Sequence, residues 1–293
     1  MGVDMKRILV FVFTLFTFAQ SVDAQTFFNS QFNRRFLVSG GSGISSYFGD
    51  LNSPRDILDP SLNIDGAILF MAHPQVGIKT EYIFFRLAGA DNDKNKPVHL
   101  TRNLSFKGNN HEITVSGQYN FITNGSRFYQ RQPFNAYVFT GVGVNIFTPW
   151  ATLDGKLYRL RPRQTEGRRY ARATPVIPVG AGIKVMINPF FNVVLEGGYR
   201  KTFTDYLDDV STVYIDNSSF DDPISAKLAD RGPEVGASLR EAGSIRGNPN
   251  KKDAYFILSA KVEFYLPPEI INIEKLQNKM PRRKKPANRR RRR

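Results

Sequence analysis

The chain has 293 residues, 41% of them apolar, with 24 Phe, 12 Tyr, one Trp, no Cys and a formal net charge of +15. That length suits one barrel or one to two ordinary domains. Without cysteine there is no disulfide framework and no thiolate metal site, so packing and backbone pairing must carry the fold.

Lys6-Arg7, the apolar run Ile8–Ala19 and then Val22-Asp23-Ala24 give a basic region, an apolar core and a small residue at a cleavage site. This predicts a secretory signal peptide over 1–24, with Gln25 as the first mature residue. The apolar run is too short for an anchoring helix, which needs about 20 such residues. Residues 25–34 read as a short periplasmic lead-in. No later segment approaches a transmembrane helix.

From there the pattern has period two. Arg35–Asp50 is a first strand, with Gly40, Gly41 and Gly43 allowing close approach of neighbours. Residues 51–61 form a loop, Leu62–Ala72 a second strand and His73-Pro74 a turn. Gln75–Ala88 sets Val76, Ile78, Tyr82 and Phe84 against Lys79 and Glu81. After a polar loop over 89–108, Asn109–Ile122 alternates Ile113, Val115 and Tyr119 with Glu112, Thr114 and Gln118. A turn over 123–133 leads to Phe134–Thr148, and a basic, aromatic loop over 149–172 follows. In Ala173–Thr204 two strands flank Asn188-Pro189: Ile177, Val179, Ile183 and Val185 share one face, while Lys184, Glu196 and Arg200 lie on the other. The longest connection, 205–252, precedes the eighth strand, Asp253–Leu266, which Pro267-Pro268 ends.

Eight strands is an even number, and the short turns at 73–74, 123–133 and 188–190 all fall on one side, with the long loops on the other. Together with export, this predicts an all-β fold: an eight-stranded antiparallel transmembrane β-barrel over 35–266, with short periplasmic turns and long external loops. A soluble sandwich or lipocalin-like barrel is the alternative. A barrel this narrow is filled by side chains. Its interior should hold Asp65, Lys79, Glu81, Glu112, Lys184, Glu196, Arg200, Lys261 and Glu263. Charges in so small a lumen must pair, so they read as a plug and not a pore.

The pattern offers little catalysis. His73, His99 and His111 have no nucleophile fixed beside them and read as exposed histidines. Asp205, Asp208, Asp209, Asp216, Asp221 and Asp222 lack calcium-loop spacing. They read as a solvated or loop-ordering cluster paired with Arg159, Arg161, Arg163, Arg168 and Arg169. No glycine-rich phosphate loop or metal constellation appears, so neither an enzyme nor a cofactor is expected.

Residues 267–293 form a basic tail, expected to be periplasmic and disordered until bound. Its cations are Lys275, Lys279, Arg282, Arg283, Lys284, Lys285 and Arg289, Arg290, Arg291, Arg292 and Arg293, against Glu269 and Glu274. They are the candidate partner-binding residues. Export argues against nucleic acid and for acidic protein surfaces, anionic lipid or cell-wall carboxylates.

Six segments carry a family likeness: Ser45–Leu51 (SSYFGDL), Arg102–Phe106 (RNLSF), Tyr137–Pro149 (YVFTGVGVNIFTP), Thr165–Gly167 (TEG), Ile177–Lys184 (IPVGAGIK) and Thr202–Ser211 (TFTDYLDDVS). Together they resemble the PorG-like outer-membrane barrels of Bacteroidota; the poly-arginine tail has no counterpart in that pattern. The resemblance implies a non-enzymatic component of the type IX secretion and gliding machinery, associated with a periplasmic ring of PorK-like and PorN-like proteins. The competing expectation is a generic small barrel that binds an external ligand or surface. Its loop over 149–172, with Trp150, Tyr158, Tyr170 and several arginines, suits glycan or lipopolysaccharide phosphate.

Overall fold

A computed structural model describes residues 35–51, 61–91, 97–123 and 131–266. The expected signal peptide, the lead-in over 25–34 and the basic tail with all its candidate partner residues lie outside these.

Among the described residues nine strands form: β1 (Phe36–Phe48), β2 (Ser61–Met71), β3 (Val76–Ala90), β4 (Ser105–Asn120), β5 (Phe134–Leu153), β6 (Lys156–Arg159), β7 (Ala173–Met186), β8 (Phe191–Thr202) and β9 (Ala254–Tyr265). Two short helices, α1 (Pro97–Arg102) and α2 (Pro223–Ala229), lie in the loops. All pairings are antiparallel between neighbours, β5 skips β6 to pair with β7, and the β1–β9 seam closes the ring. The result is a closed eight-stranded barrel, with β6 folded back on the end of β5 as a ninth strand outside the ring.

Alternation decides which side chains go where. Outward positions carry Ile64 at 63% exposure and Val142 at 67%, with Ile68, Ile113, Val179 and Leu195 also exposed. Aromatic side chains flank this belt: Phe36 with Phe70 and Phe191 with Phe264 at the turn end, Phe48 with Tyr199 at the loop end. An apolar outer band between aromatic girdles, around a polar interior, is the pattern of a barrel that stands in lipid.

Inward glycines make the narrow bore possible. A side chain at Gly41 would meet the Lys261 Cγ at 2.7 Å, and one at Gly182 would strike the Tyr137 ring. Small residues on one wall therefore leave room for long ones on another.

The structure departs from the sequence expectation at two edges. Strand β4 starts at Ser105 and not at Asn109, and β5 runs five residues past Thr148. The region expected as a loop over 149–172 thus opens with a hairpin arm, because Leu153-Asp154-Gly155-Lys156 makes a tight turn in which Asp154 and Gly155 have φ of 50° and 76°.

Candidate functional site

The interior is built in layers. At the turn end, Leu37, Leu69, Met71 and Tyr265 form a small apolar cluster, and the Arg131 guanidinium lies 3.9 Å from the centre of the Tyr265 ring. The crevice between Met71, Arg131, Lys184 and Tyr265 has a volume of about 20 Å³, roughly one water molecule. Above it, Lys184 pairs with Glu263 at 2.8 Å, and Asn192 donates to the same carboxylate at 2.8 Å.

The central layer joins five strands. Lys79 bridges Glu196 at 2.7 Å and Glu81 at 3.2 Å. Lys261 reaches Glu81, Glu196 at 3.0 Å and Asp65 at 3.6 Å. Tyr137 donates to Glu196 at 2.5 Å, and the Lys79 ammonium sits 4.3 Å from the centre of the Phe139 ring. One step higher, the Arg200 Nε lies 3.5 Å from Glu112, which also accepts from Tyr255. All nine charged residues placed in the interior by alternation are buried there, and each has a partner of opposite sign. Buried ions are stable only when so matched, and together they fill the bore.

The upper third is apolar. Ile83, Phe85, Leu87, Phe106, Phe147 and Ile257 point inward and merge with Leu51, Leu104, Leu153, Leu160, Leu207, Val210 and Leu228 from the loops. The connection 203–253 therefore folds over the barrel mouth as a lid, pinned by a Val213–Ile245 bridge and by α2, whose N-cap Asp222 accepts from the backbone of Ile224 and Ser225.

Three polar knots hold this cap. Arg102 grips Asp91 bidentately at 2.7 and 2.6 Å and donates to the Arg246 carbonyl at 2.5 Å. Arg246 donates to Glu166 at 2.9 Å, and Glu166 accepts from the backbone N–H groups of Ser211 and Thr212 at 2.9 and 3.0 Å. Tyr47 donates to Asp253 at 2.6 Å, while Asp208 takes the backbone N–H groups of Leu51 and Val210. Burial, then the facing carboxylate, pushes the Asp208 carboxyl well above its ordinary range, and burial raises Asp253 likewise. Burial lifts Asp209 to about 6 against the opposing pull of Arg246, and Asp205 to about 7.

The acidic cluster divides: Asp216 and Asp221 are exposed, whereas Asp205, Asp208 and Asp209 are buried and order the loop; Arg163 meets Asp222, but the cation beside Asp209 is Arg246. Arg159 lies instead over the Trp150 ring at 4.8 Å. Among the described residues no group of three or more His, Asp or Glu is placed to hold a metal ion. His73 accepts from the Gln75 N–H in its turn, and His111 sits within β4, facing out, with its Nδ1 2.8 Å from the Tyr82 hydroxyl.

Arg246, Asp91 and the lid itself escaped the sequence reading. The available signal was the set of family segments: Tyr47, Asp50, Leu51, Arg102, Leu104, Glu166, Asp208 and Asp209 belong to four of them, and all meet at this mouth.

Among solved structures of similar fold, Neisserial surface protein A is 10% identical, with 79% of this chain and 97% of that one covered and a TM-score of 0.41. The N-terminal β-barrel domain of Pseudomonas aeruginosa OprF is 11% identical, with coverage of 80% and 98% and a TM-score of 0.37. Ail, the attachment invasion locus protein of Yersinia pestis, is 10% identical, with coverage of 79% and 99% and a TM-score of 0.37. No curated protein matches the chain. The family described as a domain of unknown function, DUF6089, matches residues 6–221, and the chain belongs to that family.

Proposed function

We propose that the protein is a sealed, non-enzymatic barrel of the bacterial outer membrane that anchors a periplasmic ring of PorK-like and PorN-like proteins in type IX secretion and gliding. The observation that carries the anchor reading is the interior: ion pairs in the middle, apolar side chains above and a capped mouth leave function to the two ends. The apolar belt supports a lipid setting. Leu266, the last described residue, donates its N–H to the Phe36 carbonyl at 2.8 Å at the end with the short turns, which supports a tail that continues from that end. With the turns in the periplasm, those cations meet periplasmic surfaces. The secretion role draws on the six segments that resemble PorG-like barrels.

Affinity purification of the full chain from gently solubilised membranes tests it. Mass spectrometry should find the periplasmic ring proteins at near-stoichiometric abundance. Recovery of the folded barrel without them overturns the reading.

A further inference from the structure

Charge on the lipid-facing wall is sparse and one-sided. Along the outward positions of the eight ring strands the Arg and Lys residues are Arg86, Lys107 and Lys201, with no Asp or Glu, and all three lie at the loop end. Lys201 stands on β8, across the ring from β3. The other two are on adjacent strands and are joined by a third cation. Register places Lys107 opposite Trp150 and Trp150 opposite Arg159, so one row crosses β4, β5 and β6. Arg86 lies next to Asn109, one step below Lys107 on its own face. All three cations are exposed, and no ion pair ties them to a carboxylate among the described residues. The Arg159 guanidinium rests on the indole face at 4.8 Å, which holds both groups at one level.

The height of this row defines its surroundings. Ile146, the last apolar outward residue of β5, lies four positions before Trp150, about 14 Å along the strand and about 10 Å along the membrane normal at the usual tilt. Just below, Tyr82, Phe84 and His111 form the aromatic border of the belt. Tryptophan settles at such borders, and cations above them stand among headgroups. Arg159 supplies a planar fork suited to a phosphate monoester, and Lys107 and Arg86 supply charge from the neighbouring strands.

We infer that the outward face formed by Arg86, Lys107, Trp150 and Arg159 binds the phosphorylated disaccharide headgroup of the outer leaflet's glycolipid, lipid A. This rests on the membrane part of the proposed function and is independent of the secretion part. The occupant follows from charge complementarity: three unpaired cations need a multiply anionic group, and the flanking apolar wall requires that group to carry acyl chains.

Trp150 is the chain's sole tryptophan, so its emission reports on this face. The full-length barrel in nanodiscs of zwitterionic lipid is titrated with diphosphoryl lipid A, monophosphoryl lipid A or inorganic phosphate. Diphosphoryl lipid A should give a saturable change in Trp150 emission, weakening by about tenfold or more in the R86Q/K107Q/R159Q variant, a loss of ~1.4 kcal/mol. Monophosphoryl lipid A should bind more weakly, and inorganic phosphate should give no change. The K201Q/K251Q/K252Q variant removes equal charge elsewhere and should bind as the parent does. Equal loss in both variants, equal binding of both lipid A forms, or saturation by inorganic phosphate overturns the inference. Heat-modifiable migration on gels confirms that each variant is a folded barrel. Failure to insert would instead count against the membrane reading.

Discussion

Tyr47 and Asp253 lie 206 residues apart in sequence, yet the tyrosine hydroxyl donates to the carboxylate at 2.6 Å. The contact fastens β1, the approach to β9 and the lid at one point, since Asp253 also accepts from the Leu207 N–H at 2.9 Å. Tyr47→Phe leaves a buried acceptor unpaired, a loss of about 1–3 kcal/mol. The lid should open while the ring persists: limited proteolysis would cut within 205–252 faster than in the parent, with unchanged heat-modifiable migration.

Lid stability should depend on pH, with a definite sign. Asp208 and Asp253 have carboxyl groups raised in the folded state, so the closed lid keeps protons that the open one releases. Their contribution is complete below the ordinary carboxylate range near pH 4 and is lost as pH rises through the folded values. Asp205, raised to about 7, and Asp209, raised to about 6, add in the same direction. Hydrogen exchange in 205–252, corrected for intrinsic rates, should quicken from pH 5 to pH 8. Asp208→Asn should flatten that slope; a slope of opposite sign would remove the carboxyl explanation.

Glu196 faces two ammonium groups, at 2.7 Å from Lys79 and 3.0 Å from Lys261. Glu196→Gln keeps the shape and removes the charge, leaving the two cations with Glu81 and Asp65 alone. Breaking a buried pair in this way costs about 3–5 kcal/mol. The urea midpoint of the detergent-solubilised barrel should fall accordingly. Lys79→Met should cost less in the Glu196→Gln background than on its own, because the closest ion pair is already gone.

Arg246 joins three loop segments through Glu166 and the carbonyls of Asp209 and Ala229. Arg246→Met should release the lid as Tyr47→Phe does, and more severely, because Glu166 and Asp209 lose their buried cation. Arg246→Lys should rescue only in part, since an ammonium cannot reproduce the guanidinium's several directed bonds. Protease sensitivity across the three variants checks the order.

Deleting residues 281–293 should leave the barrel's heat-modifiable migration unchanged and reduce capture of periplasmic ring proteins, with the residual capture less sensitive to salt. Capture equal to that of the full chain would take the contact away from Arg282–Arg293.

Where one face is apolar and the other polar, the chain announces its own geometry. Val193, Leu195 and Tyr199 against Asn192, Glu196 and Arg200 fix both the strand and its facing, and the charged interior follows. The upper plug was hidden because Tyr82-Ile83-Phe84-Phe85 is apolar on both faces and carries no alternation. Strand β6 was hidden for another reason: four residues are too short for a periodic signal, and Pro149 argues for a break where the strand in fact continues. The lid rests on pairings such as Arg102 to Arg246, 144 residues apart, and Glu166 to Ser211, 45 apart. Local patterns carry no record of such distances.

The seam between β1 and β9 joins twelve residue pairs, from Leu37 with Tyr265 to Phe48 with Ala254. It is the pairing of greatest sequence separation in the ring, and it brings Gly41 and Gly43 of one strand hard against Lys261 and Ser259 of the other. Until β9 arrives, β1 and β8 present open edges in a setting with no water to satisfy them, and Glu81 and Asp65 lack Lys261. Closure of the ring and completion of these ion pairs are therefore one and the same step. An intermediate halted before β9 would be unzipped and would leave Asp65 without Lys261 and Lys184 without Glu263.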